Sequence, residues 1–340
     1  MRFTAPICRA IFIAALCLKP NLALAYNIDL KQMSVSGLSS GAYMAGQIHV
    51  ANSSRFFAAA LLAGGPYYCA EGDINLALEE CSQTSRKEFD VHRLTQEAQS
   101  LSQAKQIDPI ANLKNARLYL FSGKLDQTVM PHLSQASHDF YLKLGARSEN
   151  IKYNDSLETG HAFPSLNYGN PCSTVSESPY INNCRQDVAG DFLKHIYPDL
   201  KERTEFNKES FYLISQDFNH SPRSLSLADH AIAYIPDECQ TKKCRLHIAF
   251  HGCRQTTEHI GDQFYMRTGY NEWAENNRLI ILYPQAVSSY YPYNPRGCWD
   301  WWGYTGPNYH TKSGPQHLVI RNLIDTISDI NFRAKKVRNL

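Results

Sequence analysis

A serine between two glycines, an aspartate and a histidine occur in this sequence in an order suited to acyl transfer. Ser39 lies within Met33-Ser34-Val35-Ser36-Gly37-Leu38-Ser39-Ser40-Gly41-Ala42-Tyr43-Met44, a G-x-S-x-G motif with a β-compatible run before it and a helix-compatible run, Ala42 to Ala51, after it. A serine at such a strand–turn–helix corner sits on a strained turn with its Oγ exposed, and larger residues in place of the glycines would strike the neighbouring strand and helix. Backbone N–H groups at the start of the following helix face any oxyanion that develops there. Asp126, in Gly123-Lys124-Leu125-Asp126-Gln127-Thr128-Val129, and His161, in Glu158-Thr159-Gly160-His161-Ala162-Phe163-Pro164, supply the other groups this chemistry needs. Ser39 is then the nucleophile, His161 the base that takes its proton, and Asp126 the carboxylate that orients the imidazole and stabilises its cation. Asp139 and Asp155 are weaker candidates for the acid. His49 is weaker for the base, because it falls on the helix after Ser39. The plain alternative is a small-residue turn, a turn-capping aspartate and a histidine in a polar loop.

Positioning these groups requires strands that end just before them. Phe56 to Gly65 (FFAAALLAGG) is a continuous apolar run, as buried parallel strands are. Ala116 to Ser122 is the strand before the Asp126 loop, and Ile151 to Asn154 a short strand before the His161 loop. Helices are expected over His92–Lys105, Ser134–Leu144 and Asp187–Tyr197. Pro66 to about Pro109 is a polar insertion that either walls a cleft or forms a surface helix. Ser, Asp and His each follow a predicted strand, in the chain order of α/β-hydrolases.

In the second half, Ala231–Pro236 and Leu246–Phe250 read as strands, the latter running into His251-Gly252-Cys253. In α/β-hydrolases a strand ending in H-G supplies the second oxyanion N–H and precedes the nucleophile. Here it comes about 210 residues after Ser39. Read as a ring, the strands keep their usual order, so the chain is circularly permuted, opened just before the nucleophile strand. Such an opening requires only that the old termini lie close together. A helix over Asp262–Glu275, a strand over Leu279–Tyr283 and a closing helix over Gln316–Ile327 follow. Arg333, Lys335, Lys336 and Arg338 read as a solvated tail. Tyr290 to Tyr304 (YYPYNPRGCWDWWGY) is dense in aromatics with polar tips and has neither helical nor alternating pattern, which suits a wet binding surface. Trp302 is the expected substrate contact and Trp301 its alternative; otherwise the loop is packed by its own rings.

Residues 1–25 have the form of a secretory signal peptide: Arg2 and Arg9, an apolar run from Ala10 to Leu18, and an A-x-A-like site at Ala23-Leu24-Ala25. The apolar run is too short for a membrane span. The expected product is a secreted protein, extracellular or, in a Gram-negative host, periplasmic, with residues 26–340 forming a single catalytic domain. Losing Arg2, Arg9 and Lys19 moves the formal net charge from +2 to −1, and nothing in that balance calls for nucleic acid or an anionic membrane. The oligomeric state is open, with a monomer the simplest expectation. Of ten cysteines, Cys8 and Cys17 fall in the signal segment and eight remain. An even number in an exported chain suggests disulfides. Spacing favours Cys69–Cys81, Cys172–Cys184, Cys239–Cys244 and Cys253–Cys298, the first three closing short loops. No C-x-x-C pair supports a metal site, and no metal or organic cofactor is implied.

The stretches SVSGLSSGAYMA, LLAGGPYYCA, the Asp126 loop, GHAFP, HGC and CWDWWG together resemble the extracellular poly(3-hydroxybutyrate) depolymerases with a permuted catalytic domain. The resemblance spans nearly the whole expected mature chain. It implies an α/β-hydrolase fold, a mostly parallel sheet with helices on both faces. It also implies a Ser39–Asp126–His161 triad, an oxyanion hole made by the backbone N–H groups of Ser40 and Cys253, and hydrolysis of polyester or oligoester by an acyl-enzyme. Many members carry a linker and a separate polymer-binding domain, which this sequence is not expected to contain. Two rivals remain: a carbohydrate esterase of feruloyl or acetylxylan type, since fold alone does not select substrate, and a non-catalytic secreted binding protein using the aromatic loop.

Overall fold

The computed structural model describes residues 26–82, 89–329 and 335–337. The expected signal segment lies outside these residues, as do Arg333 and Arg338 of the expected tail. β1 (Ile28–Leu38), α1 (Ser40–Ala51) and β2 (Phe56–Leu62) form a parallel β-α-β unit at the centre. Every residue of α1 is buried, which its small and apolar composition permits. The insertion after β2 carries α2 (Ile74–Glu79) and α3 (His92–Gln103). β3 (Arg117–Phe121), α4 (Pro131–Lys143) and β4 (Ile151–Asn154) extend the sheet in the same direction.

Three short strands, β5 (Phe163–Ser165), β6 (Asn170–Pro171) and β7 (Ile181–Asn183), form a separate small sheet. α5 (Val188–Ile196) follows, capped by the Asp187 side chain, which accepts from the Gly190 N–H. The second half contributes β8 (Phe211–Ser215), β9 (His230–Tyr234) and β10 (Cys244–Phe250). After α6 (Thr257–Ile260), α7 (Gln263–Arg267) and α8 (Tyr270–Ala274) come β11 (Leu279–Tyr283), α9 (Pro315–Ser328) and β12 (Lys335–Lys336).

Among the described residues the main sheet has nine strands in the order β12-β8-β9-β11-β10-β1-β2-β3-β4. From β11 to β4 all neighbours are parallel, and β9, β8 and β12 run antiparallel at one side. Starting at β8 and passing through the chain ends to β1, the strands follow one another as in an α/β-hydrolase. The fold is therefore a circularly permuted α/β-hydrolase opened before β1, the strand that runs into Ser39. Residues 198–210 carry the chain from α5 to β8, pinned by Lys201 N–H to Asn277 Oδ1 (2.7 Å) and Thr204 N–H to Glu272 O (3.0 Å).

Alternation divides the core into two faces. Met33, Val35, Leu246, Ile248 and Phe250 pack with α1, α4 and α9. Ala58, Ala60, Leu62, Ala249 and Ile281 pack on the other face with α5, α7 and α8.

Two expectations need correction. The single helix over Asp262–Glu275 is two helices, α7 and α8, broken at Thr268-Gly269, where Gly269 has φ 92°. Glycine enters that left-handed region without steric cost, and the chain turns there. The tail is also not wholly free, because Lys335 and Lys336 pair with Leu213 and Tyr212 as an edge strand. Their exposed lysine side chains suit an edge.

Candidate active site

Ser39 sits between β1 and α1 with φ 58° and ψ −124°, a backbone strain that a serine tolerates only when its surroundings enforce it. Two glycines enforce it by contact. A Cβ on Gly37 would lie 2.1 Å from Gly41 O, and one on Gly41 would lie 2.4 Å from Phe250 O and 2.5 Å from His251 O. The corner is therefore pressed against its own turn and against the end of β10. The Ser39 N–H donates to Leu62 O (2.9 Å), and Ser39 O accepts from Ala42 N–H (2.8 Å). Ser39 is 9% exposed, recessed yet reachable.

Asp126 lies beyond the end of β3 and is buried. Its Oδ1 accepts from the N–H groups of Thr128 (2.8 Å) and Val129 (2.9 Å), and its Oδ2 accepts from His161 Nδ1–H at 2.8 Å. Donation by Nδ1 leaves Nε2 of the neutral ring as the acceptor. The Asp126 and His161 loops are fitted together: Leu125 N–H donates to Thr159 O (3.0 Å), and a Cβ on Gly123 would lie 2.1 Å from that same oxygen. The small sheet seats His161 from the other side. Asn182 on β7 donates to Thr159 Oγ1 (2.9 Å) and Thr174 O (2.8 Å), within the loop closed by Cys172–Cys184.

The acid and base alternatives are placed elsewhere. Asp139 is half exposed on α4, bonded to Gln135 and His138. Asp155 is exposed after β4. His49 is buried in α1 with Nδ1 at 2.9 Å from Tyr141 Oη.

The chain leaves β10 through His251-Gly252-Cys253 and packs directly on the serine corner: a Cβ on Gly252 would lie 3.4 Å from Ser39 Cβ. Among the described residues, neither the Ser40 nor the Cys253 N–H donates to a protein acceptor. Several groups around Cys253 are engaged. Gly252 N–H donates to Gln255 Oε1 (2.7 Å), and Arg254 N–H donates to Arg296 O (2.7 Å). His251 Nδ1–H donates to Gly252 O (2.8 Å), while its Nε2 accepts from Ala286 N–H (3.1 Å). Because the peptide is planar, holding Gly252 O also sets the direction of the Cys253 N–H. Burial lowers the His251 pKa to about 4, so the ring is neutral with this tautomer. Gln255 Nε2 donates to Pro179 O (3.1 Å) and Tyr180 O (3.0 Å), tying this loop to the one beside His161. Sequence reasoning missed the parts played by His251 and Gln255; H-G-C-R-Q contains both, but only the folded loop aims their side chains back at Gly252.

Among the described residues four disulfides are formed: Cys69–Cys81, Cys172–Cys184, Cys239–Cys244 and Cys253–Cys298. The last joins the His251-Gly252-Cys253 loop to the aromatic segment, whose Trp299 N–H donates to Ser40 Oγ (3.3 Å). Trp301 is buried and stacks on Tyr43 of α1 at 4.3 Å between ring centroids. Trp302 is half-buried, edge-on to Trp301 (5.7 Å) and tilted against Tyr304 (4.9 Å). The turn is pinned by the buried Asp300 carboxylate, which accepts from the N–H groups of Gly303 (2.7 Å), Tyr304 (3.0 Å) and Thr305 (2.8 Å). Tyr290, Tyr291 and Tyr293, at 80%, 85% and 70% exposure, stand on a hairpin tip closed by Ser289 and Asn294. Among the described residues no helix is long and apolar enough to cross a membrane, and no cluster of three His, Cys, Asp or Glu is arranged to hold a metal ion.

No family model matches the chain. It is 38% identical over 318 residues to a poly(3-hydroxybutyrate) depolymerase of Delftia acidovorans, covering 89% of this chain and 61% of that protein. Against a polyhydroxybutyrate depolymerase of Talaromyces funiculosus it is 36% identical over 314 residues, 87% of this chain and 89% of the relative. The chain thus spans about three-fifths of the Delftia protein and most of the Talaromyces one. The crystal structure of PHB depolymerase from Penicillium funiculosum superposes with a TM-score of 0.82 at 34% identity, over 91% of this chain and 99% of that one. A serine-to-alanine PHB depolymerase complexed with an R3HB trimer matches equally well, with a TM-score of 0.82 at 34% identity. With this identity across most of both chains, and the same permuted fold, the chain belongs to the poly(3-hydroxybutyrate) depolymerase family.

Proposed function

We propose that this protein is a secreted serine esterase that cleaves 3-hydroxybutyrate esters, in polymer or oligomer, through an acyl-enzyme. Ser39 Oγ attacks the ester carbonyl while His161 Nε2 takes its proton, and Asp126 stabilises the resulting imidazolium. The N–H groups of Ser40 and Cys253 receive the tetrahedral oxyanion. Collapse expels the alcohol end of the chain, protonated by His161. Water activated by the same ring then releases the acid and restores Ser39. Two observations carry this reading: the Asp126–His161 hydrogen bond, which leaves Nε2 as the ring's acceptor, and the strained corner at Ser39. The family relationship and the R3HB trimer bound by a related structure support the substrate class. Four disulfides support an exported chain.

Substrate contact is assigned to Trp302, whose ring is only partly covered. The tyrosine hairpin is assigned to the surface of a solid polyester, and 26–340 to one catalytic domain. Ser39→Ala is expected to fold normally and to lower kcat by roughly 10³ or more, and a fluorophosphonate should label the unmodified chain at Ser39 alone. Near-normal turnover of the purified variant would remove Ser39 from the nucleophile's role. Release of soluble 3-hydroxybutyrate from amorphous polymer, against acid release from feruloylated or acetylated xylan, separates the polyester reading from the carbohydrate-esterase reading.

A further inference from the structure

Buried parallel strands are normally apolar on both faces, and the face of the sheet under α5 and α8 follows that rule except directly beneath the active site. There Ser34 and Ser36 of β1 and His247 of β10 point into the same layer, all fully buried. Ser34 and His247 are direct partners in the β1–β10 ladder. His247 Nδ1 lies 2.6 Å from Ser34 Oγ, and Nε2 lies 2.7 Å from Ser36 Oγ. Ser34 Oγ is 2.7 Å from Tyr197 Oη, at the end of α5, and Ser36 Oγ is 2.7 Å from Tyr270 Oη, at the start of α8.

One further bond sets the direction of the whole chain. Tyr197 O–H donates to Gln32 O (3.2 Å). A phenol has one proton, so Tyr197 Oη must accept from Ser34 O–H. Ser34 Oγ then accepts from His247 Nδ1–H, His247 Nε2 accepts from Ser36 O–H, and Ser36 Oγ accepts from Tyr270 O–H. Every group is satisfied, no charge is buried, and the imidazole is neutral, its pKa lowered to about 3 by burial. The network lies just upstream of the chemistry: β1 runs from Ser36 into Ser39, and β10 runs from His247 into His251 and Cys253.

We propose that His247, together with Ser34 and Ser36, is a positioning residue for ester hydrolysis, locking the nucleophile strand to the oxyanion strand. The backbone ladder fixes the register of these strands, and the chain of directional side-chain bonds adds a second tie that also reaches Tyr197 and Tyr270 above the sheet. The proposal rests on the reading of Ser39 as nucleophile and of Ser40 and Cys253 as oxyanion donors.

The test uses the full chain and its His247→Leu, His247→Gln and Ser36→Ala variants. Reactive sites are titrated with a fluorophosphonate, and kcat and KM are measured on p-nitrophenyl butyrate. Binding of an alkylboronic acid, which mimics the tetrahedral adduct, is measured alongside. His247→Leu is expected to lower kcat per titrated site about 10- to 100-fold, the scale of a small displacement in a reacting pair. KM should stay within about twofold, and boronic acid affinity should fall in step with kcat. His247→Gln, whose amide both donates and accepts, should recover part of the loss. Nitrogen NMR should show His247 protonated at Nδ1. Unchanged kcat per site in folded His247→Leu, even with a lower Tm, overturns the proposal, and so does an Nε2–H tautomer. If His247→Leu does not fold, Ser36→Ala, which removes one hydroxyl without adding volume, must show the same pairing of lower kcat with weaker boronic acid binding, and its failure to do so is equally fatal. A wild-type chain that is not labelled at Ser39 overturns the nucleophile reading and this inference with it. Normal wild-type labelling with undiminished turnover in the variants overturns this inference alone.

Discussion

The aromatic segment from Tyr290 to Tyr304 has one composition and two fates. Its first part, Tyr290 to Tyr293, stands in solvent on a hairpin held by backbone bonds between Ser289 and Asn294. Its second part, Cys298 to Tyr304, is built into the molecule. Trp299 is edge-on to Phe250 (4.8 Å) and tilted against His251 (5.3 Å) at the end of β10, and Trp301 lies flat on Tyr43. Asp300 gathers three backbone N–H groups, and Gln47 of α1 donates to Asp300 O (2.9 Å). The difference lies in anchoring. Rings beside a disulfide and a buried carboxylate become the wall behind the His251-Gly252-Cys253 loop, whereas rings at the tip of a hairpin pinned only at its base, by Ser289 and the buried Asn294, remain exposed. Trp302 stands at the boundary, edge-on to Trp301, tilted against Tyr304 and only partly covered.

The sharpest test of that division is Trp299→Ala. Removing a fully buried indole costs about 3–5 kcal/mol, so Tm should drop and activity on polymer and on small ester should fall together. An unchanged Tm would place Trp299 with the exposed rings. Acid comes next. His310, packed on Tyr68 at 4.0 Å between ring centroids, belongs to the anchored side, and burial lowers its pKa to about 4. His49 and His317 are buried and depressed to about 3. An unfolded chain takes up these protons near the ordinary histidine pKa of about 6.5. Stability is therefore complete above that value and declines as pH falls from about 6.5 toward 4. Denaturant titrations at several pH values check this, and His310→Gln should flatten the decline; an equal slope in the variant would assign it to other groups.

Trp302→Ala should separate two activities. Hydrolysis of polymer or oligomer should fall about 5- to 30-fold, the equivalent of about 1–2 kcal/mol of ring contact. A small p-nitrophenyl ester, which barely extends beyond Ser39, should be affected much less. Equal loss on both substrates with a large drop in Tm would move Trp302 into the anchored part. The mildest effect is expected from replacing Tyr290, Tyr291 and Tyr293 together by serine. Exposed substitutions change stability by about 0.5 kcal/mol or less, so Tm and small-ester turnover should hold while adsorption to polyester film falls. Unchanged adsorption would leave the hairpin without a binding role.

Much of this architecture is legible in the amino-acid order because it depends on local rules. Gly37 and Gly41 are needed wherever a backbone must pass within reach of a neighbouring carbonyl, so the corner at Ser39 announces itself. The apolar run of β2 marks a buried parallel strand. The H-G-C sequence, so far downstream of Ser39, reveals the permutation. The helix break at Gly269 was less visible, since a lone glycine is compatible with a continuing helix. The small sheet β5–β7 was invisible, because strands of two or three residues have no periodicity to read and exist only through their neighbours.

Residue identity alone determined the serine corner, the order of Ser39, Asp126 and His161 and the even set of cysteines after residue 25, because those follow from local sterics and side-chain chemistry. Only the tertiary structure decided which aromatic rings are buried, that Asp126 rather than Asp139 or Asp155 meets His161, and that Ser34, Ser36 and His247 bond across two strands. Each of those depends on contacts between residues far apart in the chain, and a side chain's partner is set by where the sheet register and the loops deliver it.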